Sequence, residues 1–511
     1  MENGSGKIRV QFSTLIGILP MSPKLSPHGQ RLLRRRDFMR GGITTLGGIS
    51  LIDLLAKQGA FAKTESQPWR PLIDPARPFA PRQPHHDAKA EQMLIIFCAG
   101  AVSHLDSFDY KPELYQHHGK TPPNAPKVTF QGPIGNLAKP FWEFKPRGQT
   151  GKMVSDLFPN LAEMTDDMCF LHSLNAPNAA HTQAENFMST GHTFEGYPSL
   201  GAWSTYALGT ENEQLPSFVA MADPRGRPQA GFNNWGSGFL PASFQGTAFS
   251  ADSPPANLTA PKGVSPQSNG KARSLLESLN AQHAQRFPGD TDLAARIASF
   301  ELAGRMQLSI PELCDLSKES ASTQESYGTT SSNQVKAEYG RNCLLARRLL
   351  EQGVRVVQLF NGGSGDGGRT NWDSHADIVK NHGTHAEIFD QPTAALLADM
   401  KRRGMLEKTL VVWCTEFGRL PFMQANGTGR DHNIEGFTAW MMGAGVKPGF
   451  SHGATDELGW KAAENPATVF DFNATILHLL GLDHEQLTYY HNGFEQRLTS
   501  VHGHVISEML S

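Results

Sequence analysis

The sequence predicts an α/β fold built on one mostly parallel central sheet flanked by helices. Three observations carry that expectation. Short apolar runs recur along the chain, among them MLIIFC (93–98), MCFL (168–171), VRVVQLF (354–360) and TLVVWC (409–414). Runs this short that are apolar at nearly every residue read as strands buried on both faces, as in parallel sheets. Helix-length segments alternate with the later runs. In each of these four runs the chain that follows carries Asp, Glu or His, and ligands in such sheets sit beyond the carboxyl ends of the strands.

Size and composition agree. A chain of 511 residues is two or three ordinary domains, or one large α/β domain with insertions. With 39% hydrophobic and 19% charged residues it can build a sizeable core, which excludes global disorder. The balance of 46 Lys+Arg against 49 Asp+Glu, net −3, gives no basic excess with which to seek nucleic acid. No run of about 18 apolar residues occurs, so neither a polytopic membrane protein nor a stable membrane span is expected. The 20 histidines, many close to Asp or Glu in the second half, are the first sign of a metal enzyme. Five widely spaced cysteines (Cys98, Cys169, Cys314, Cys343, Cys414) form neither a disulfide framework nor a CxxC pair and read as buried free thiols.

Taken in order, the chain opens with a basic cluster (Arg31, Arg34, Arg35, Arg36, Arg40). A short glycine-rich apolar stretch, Gly41 to Ala56, and the small-x-small triplet Ala60-Phe61-Ala62 follow. The Arg-Arg-Asp-Phe-Met run resembles a twin-arginine export signal, which implies that the twin-arginine machinery exports the chain folded to the periplasm or beyond. Met21 is an alternative start. Residues 1–62 hold nine Lys/Arg and three Asp/Glu, so the remainder carries a net charge near −9. A Pro-rich lead (63–90) precedes the main domain, 91–511, which begins with strand 93–98. A second strand at 168–171 and a helix at 183–190 follow. Residues 215–260, rich in Gly, Pro, Asn and Ser, read as the start of a surface insertion reaching to about 333, with a helical stretch at 272–310 and a polar loop at 317–333. Helix 334–353, strand 354–360, helix 384–404, strand 409–414, strand 437–442 and helix 470–481 complete the series.

The polar residues after the strands converge by topology. Ser103-His104-Leu105-Asp106 follows the first strand, and Asn175 to Thr182 with His181 the second. Asp373-Ser374-His375 follows 354–360, and Glu416-Phe417-Gly418-Arg419 and Arg430-Asp431-His432 follow 409–414. Asp, Glu and His are the ligand set for Zn²⁺, or for Mn²⁺ or Ca²⁺ with more oxygen donors. One or two such ions would polarise a phosphoryl or sulfuryl oxygen. Asp106, Asp373, His375, Glu416 and His432 are the metal candidates. Arg419 and Arg430 are forked donors for a tetrahedral oxyanion. Plainer roles stand beside these: a helix cap for Asp106, an Asx-turn for Asp373, an ion pair with Arg419 for Glu416, an orienting pair for Asp431 and His432. His382 and His385, at a helix start, read equally as solvated or ligating.

The segments AGAVSHLDSFDYKPEL, NWDSHADI, IFDQPTAALLADMKRRGMLEKTLVVWCTEFGRLP, GTGRDHN and GATDELG resemble the bacterial domain-of-unknown-function family 1501, from about residue 90 to the C-terminus. That family is similar to the alkaline phosphatase and sulfatase superfamily. The resemblance implies an alkaline phosphatase-like fold and metal-dependent hydrolysis of a phosphate or sulfate ester, on a small molecule or a polysaccharide. It would put Glu416 where a metal-binding Asp stands, Phe417 where a His ligand is expected and His432 at the later His position. Asp373 and His375 resemble an Asp-x-x-x-His pair with one residue between them instead of three. Asp106 would be the carboxylate after the first strand. The stretch HTQAENFMSTG (181–191) resembles the segment that begins with a nucleophilic Cys or Ser, but His181 stands at that position, with Thr182 beside it. Either Thr182 is the nucleophile, or His181 binds metal and water attacks. A binding or scaffold protein without turnover, and a phosphotransferase or mutase, are the alternatives.

Overall fold

A computed structural model describes residues 68–74, 77–122, 125–254, 263–287, 291–364 and 369–511. The export-type segment and Ala60-Phe61-Ala62 lie outside the described residues. In chain order the strands that position the site are β1 (Gln92–Cys98), β2 (Val128–Thr129), β3 (Gly132–Leu137), β4 (Met168–Asn175), β5 (Phe218–Met221), β6 (Thr247–Ala248), β7 (Val356–Asn361), β8 (Thr409–Cys414), β9 (Gly418–Gln424), β10 (Arg430–Asn433), β11 (Phe437–Gly443), β12 (Ser451–His452) and β13 (Ala467–Thr468). The main helices are α1 (His181–Thr190), α2 (Leu200–Leu208), α3 (Pro266–Arg286), α4 (Thr291–Cys314), α5 (Gln334–Glu351), α6 (Ile378–Arg402) and α7 (Val469–Leu479).

Nine strands form the central sheet in the order β12–β4–β11–β8–β1–β7–β5–β6, with β13 also paired to β4. All its pairings are parallel except the two made by β11, which runs antiparallel between β8 and β4. The fold is therefore α/β with a mostly parallel sheet, as the apolar runs predict. β1 shows why the runs are continuous. Met93, Ile95 and Phe97 pack into one core and Leu94, Ile96 and Cys98 into the other, on opposite faces of the sheet. The antiparallel β11 leaves β4 parallel to β8, so β1, β4, β5, β7 and β8 all end at one edge.

Helix ends follow the side-chain chemistry. Asn333 caps α5 by accepting from Lys336 N, and Gly353, at φ +85°, lets the chain turn after it. Asp377 caps α6, which begins six residues before the predicted start at 384, and Thr468 and Asp471 form a capping box on α7. The predicted helix 272–310 is two helices, α3 and α4. The polar stretch 317–333 includes a short helix, Ala321–Ser326. Residues 218–221, read from sequence inside the insertion, form β5, paired in parallel with β7. Four apolar residues between Ser217 and Ala222 are too few to stand out in a Gly- and Pro-rich neighbourhood. Cys98, Cys169, Cys343 and Cys414 are buried free thiols, and Cys314 is a free thiol that is half-buried. Among the described residues, no helix is long and apolar enough to cross a membrane.

Candidate metal centre

The common edge of the strands is where the sequence-predicted polar residues meet. The turn after β1 comes first. Gly100 has φ +104°, and a Cβ there would stand 2.5 Å from Trp372 N and 2.7 Å from Asp373 N, so glycine alone lets the two backbones approach. This contact brings the loop that carries Asp373 and His375 beside the exits of β1 and β8. A second close approach, Gly429 against the backbone of His375, brings in β10 with His432. β10 belongs to a small sheet of order β10–β9–β3–β2 that lies over the edge of the main one.

The geometry centres on one carboxylate oxygen. Asp373 Oδ1 lies 2.8 Å from His375 Nε2, 3.4 Å from His432 Nε2, 3.4 Å from His181 Nε2 and 2.9 Å from Arg419 Nη2. His375 Nε2 and His432 Nε2 are 3.0 Å apart. Ligand atoms of His181, Asp373 and His432 all lie within 4.8 Å of one another, and so do those of His375, Asp431 and His432. His181 and His432 are buried, while the side chains of Asp373 and His375 are 19% and 23% exposed, which is where the cluster meets solvent.

The outer nitrogens show which way the inner ones point. His181 Nδ1 lies 2.7 Å from Glu416 Oε1, and His432 Nδ1 lies 2.6 Å from the carbonyl oxygen of Ala179. Both partners only accept, so both Nδ1 atoms carry hydrogen, and the neutral rings aim their Nε2 lone pairs at Asp373. Lone pairs facing a carboxylate repel unless a proton or a cation lies between them. His181 Nε2 is buried and makes no hydrogen bond of good geometry. In the bare protein the proton serves. Burial opposes a charge on His181, but its contacts with Asp373 and Glu416 prevail and raise its pKa to about 9. Burial likewise opposes ionisation of Asp373, yet Arg419 and the imidazoles hold its carboxyl well below the usual carboxylate range. Burial lowers His432 to about 4. A tetrahedral zinc ion with bonds of about 2.0–2.1 Å needs ligand atoms about 3.3 Å apart. The two 3.4 Å contacts to Asp373 Oδ1 match that spacing. The donor set and its outward hydrogen bonds therefore fit a divalent cation.

Other expected residues stand elsewhere. Glu416 is fully buried one step behind the cluster. Its Oε1 accepts from Gly100 N at 2.8 Å as well as from His181, and its Oε2 from the Thr415 hydroxyl at 3.1 Å. It orients His181 and anchors the β1 turn. Asp106 is absent from both ligand groups. It accepts from Arg430 Nε at 2.9 Å, Ser103 Oγ at 2.5 Å and Phe141 N at 2.9 Å. Arg430, fully buried, gives its remaining donors to the carbonyls of Leu420, Ala138 and Lys139. Arg419 donates to the carbonyls of Gly100, Ala101, Trp372 and Arg430 and to Asp373. It braces a turn in which Ala101 takes φ +68°, a conformation strained for alanine. Both guanidinium groups are thus spent inside the protein rather than turned to a ligand. Thr182 is half-buried in the first turn of α1, beside His181. Phe417 packs on His181 and His432, with ring centroids 5.0 and 4.5 Å apart, and forms an apolar wall.

Asp431, expected from sequence only to orient His432, and several residues without a sequence expectation also join the site. Asp431 lies with Oδ1 3.7 Å from His375 Nδ1 and joins the second ligand group. Glu185, one turn along α1 from His181, is buried and accepts from Ala230 N at 2.6 Å; burial and the nearby Glu416 raise its pKa to about 8. Asp223, after β5, holds Arg225 through two 2.7 Å contacts, and Arg225 Nη1 meets His385 Nδ1 at 2.7 Å. The Asp-x-Arg at 223–225 was the available signal, masked by the insertion reading. His382 is also buried and accepts from Ser103 N at 3.0 Å, so neither helix-start histidine is solvated.

A family model described as "Protein of unknown function (DUF1501)" matches residues 90–510. No curated protein matches. Among solved structures, the chain is similar to a sulfatase from Pseudoalteromonas sp. (12% identity, 78% of this chain and 68% of that one, TM-score 0.31). It is similar also to the lipoteichoic acid synthase LtaP from Listeria monocytogenes (8%, 83% and 80%, TM-score 0.31). A third is a phosphonate monoester hydrolase from Silicibacter pomeroyi (12%, 82% and 76%, TM-score 0.28). A likeness this loose carries no argument about mechanism.

Proposed function

We propose that this chain, which belongs to the DUF1501 family, is an exported, metal-dependent hydrolase of phosphate or sulfate esters. The observation that carries the reading is the set of imidazole nitrogens converging on Asp373 Oδ1, with the Nδ1 atoms of His181 and His432 held outward by Glu416 and Ala179. His181, Asp373 and His432, with His375 beside them, would hold one divalent ion. Asp431 and His375 offer room for a second. Three imidazoles with one carboxylate favour Zn²⁺ or Mn²⁺ over Ca²⁺, which prefers oxygen donors. Such an ion supplies Lewis acidity toward a phosphoryl or sulfuryl oxygen and lowers the pKa of water.

The chain's own residues set the rest. Glu416 keeps the Nδ1 hydrogen of His181, so Nε2 stays available as a donor atom. Phe417 keeps water away from one side of the imidazoles. Because His181 is committed to the cluster, water is the favoured nucleophile, and the Thr182 hydroxyl beside it is the rival. A covalent phosphoryl adduct on Thr182 would identify a phosphotransferase instead. The engagement of Arg419 and Arg430 favours one second reading, a metal-binding protein without turnover. Export by the twin-arginine route rests on the Arg-Arg-Asp-Phe-Met run and suits a chain with buried free thiols, folded before transport. The deciding experiment is hydrolysis of p-nitrophenyl phosphate and p-nitrophenyl sulfate by Zn²⁺- or Mn²⁺-loaded protein, beside Asp373→Ala. Turnover lost in the variant supports the hydrolase. Metal binding with no turnover of any ester supports the second reading.

A further inference from the structure

The hairpin turn between β2 and β3 reaches over the cluster. Its two turn residues are Phe130 and Gln131, between Thr129 and Gly132. The turn is latched to one carboxylate: the Thr129 hydroxyl and Gln131 N, the latter at 2.8 Å, both donate to Asp431 Oδ2. Asp431 Oδ1 accepts from His432 N at 2.7 Å. The latch lays the Phe130 ring on His432, with centroids 5.1 Å apart and planes within 22°. The turn thus sets an aromatic face against a member of the cluster, yet Phe130 remains 56% exposed. Turn tips ordinarily carry polar or small residues. A large, half-exposed apolar ring latched against a polar cluster has the character of a binding contact.

Resting on the hydrolase reading above, we propose that Phe130 determines the substrate class: the site takes esters of a ring-bearing alcohol, whose flat apolar face stacks on the outer face of Phe130 while the ester group lies at the cluster. The ring supplies stacking area that a short acyclic alcohol cannot use. With Arg419 and Arg430 engaged internally, recognition falls more heavily on this organic group. An aryl ring and the apolar face of a sugar ring offer the same chemistry, and the test separates them.

The test compares the metal-loaded parent with Phe130→Ala and Phe130→Leu. The substrates are p-nitrophenyl phosphate, glucose 6-phosphate and acyclic ethyl phosphate, and calorimetry measures binding of phenylphosphonate. The leucine variant keeps apolar volume but loses the flat face, and metal content confirms that the cluster persists in each. The expected result is a rise of about tenfold in the KM of a ring ester relative to ethyl phosphate, with phenylphosphonate binding weakened to match. A rise for the aryl ester alone, the sugar ester alone, or both supports the proposal and names the ring. Equal changes for all three esters overturn it, because Phe130 would then act only through His432. Unchanged KM ratios and unchanged phenylphosphonate binding also overturn it. A parent that turns over neither these phosphates nor p-nitrophenyl sulfate defeats the hydrolase reading instead. In that event phenylphosphonate binding lost in Phe130→Leu still supports the stacking face, and binding retained overturns it.

Discussion

Replacing Glu416 with glutamine tests what the negative charge behind His181 contributes, without removing any atom that faces the cluster. In the parent, Glu416 Oε1 accepts from His181 Nδ1 at 2.7 Å and from Gly100 N at 2.8 Å. An amide oxygen can still accept from both, so the fold is retained, but the negative charge behind the imidazole is gone. Outer partners of metal-ligating histidines are typically worth 10–100-fold in metal affinity, or about 1.4–2.8 kcal/mol. Glu416→Gln is expected to fall in that range. His432→Ala and Asp373→Ala, which remove atoms of the cluster itself, should abolish binding under the same conditions. The assay is competition for Zn²⁺ against a chelator of known affinity, with circular dichroism to confirm the fold. If Glu416→Gln binds Zn²⁺ as tightly as the parent, the negative charge of Glu416 behind His181 contributes nothing to the donor strength of its Nε2. If its binding is abolished as completely as that of His432→Ala, Glu416 is itself a ligand.

Three more predictions concern stability. Asp106→Asn breaks a fully buried pair with Arg430; it should cost about 3–5 kcal/mol in denaturant unfolding, while the protein that folds keeps its metal. Gly100→Ala forces a Cβ to within 2.5 Å of Trp372 N at φ +104°; it should destabilise by a few kcal/mol and lower metal content, because the Asp373 loop must shift. His484 is buried against Thr499, and burial lowers its pKa to about 4 from an ordinary 6.5. Above pH 6.5 the ring is neutral in both states. As pH falls from 6.5 toward 4 the unfolded chain takes up a proton that the fold refuses, so stability falls by at most ~3 kcal/mol and levels off below 4. Urea unfolding at pH 7 and pH 4.5 should show a smaller loss for His484→Gln than for the parent; equal losses would refute the assignment.

Much of the scaffold could be read because burial on both faces leaves continuous apolar runs, as in β1 and β8. Part of the site is legible for the same reason: Asp373, His375 and His432 stand out by their position after strands, and their side chains do meet. Where each side chain would turn was not legible. Asp106 and Arg430 are 324 residues apart in sequence, and nothing local to either announces the pair. Arg419 has the form of an anion ligand, but the backbone carbonyls that consume its donors arrive from two separate loops and from the start of β10. Glu416 was placed among the ligands because its residue type suits metal; the neighbouring His181 takes its oxygen. β5 and β10 were missed because one is only four residues long and the other, Arg-Asp-His-Asn, is polar in composition though buried. Phe130, on a turn between two short strands, carried no periodic signal.

The most direct test of the central claim is metal content per chain on the full chain, purified without chelator and then offered Zn²⁺ and Mn²⁺, beside a His181→Ala/His432→Ala variant shown by circular dichroism to be folded. One or two ions are expected in the parent and none in the variant. No ion in the parent, or the same content in both, would contradict that claim.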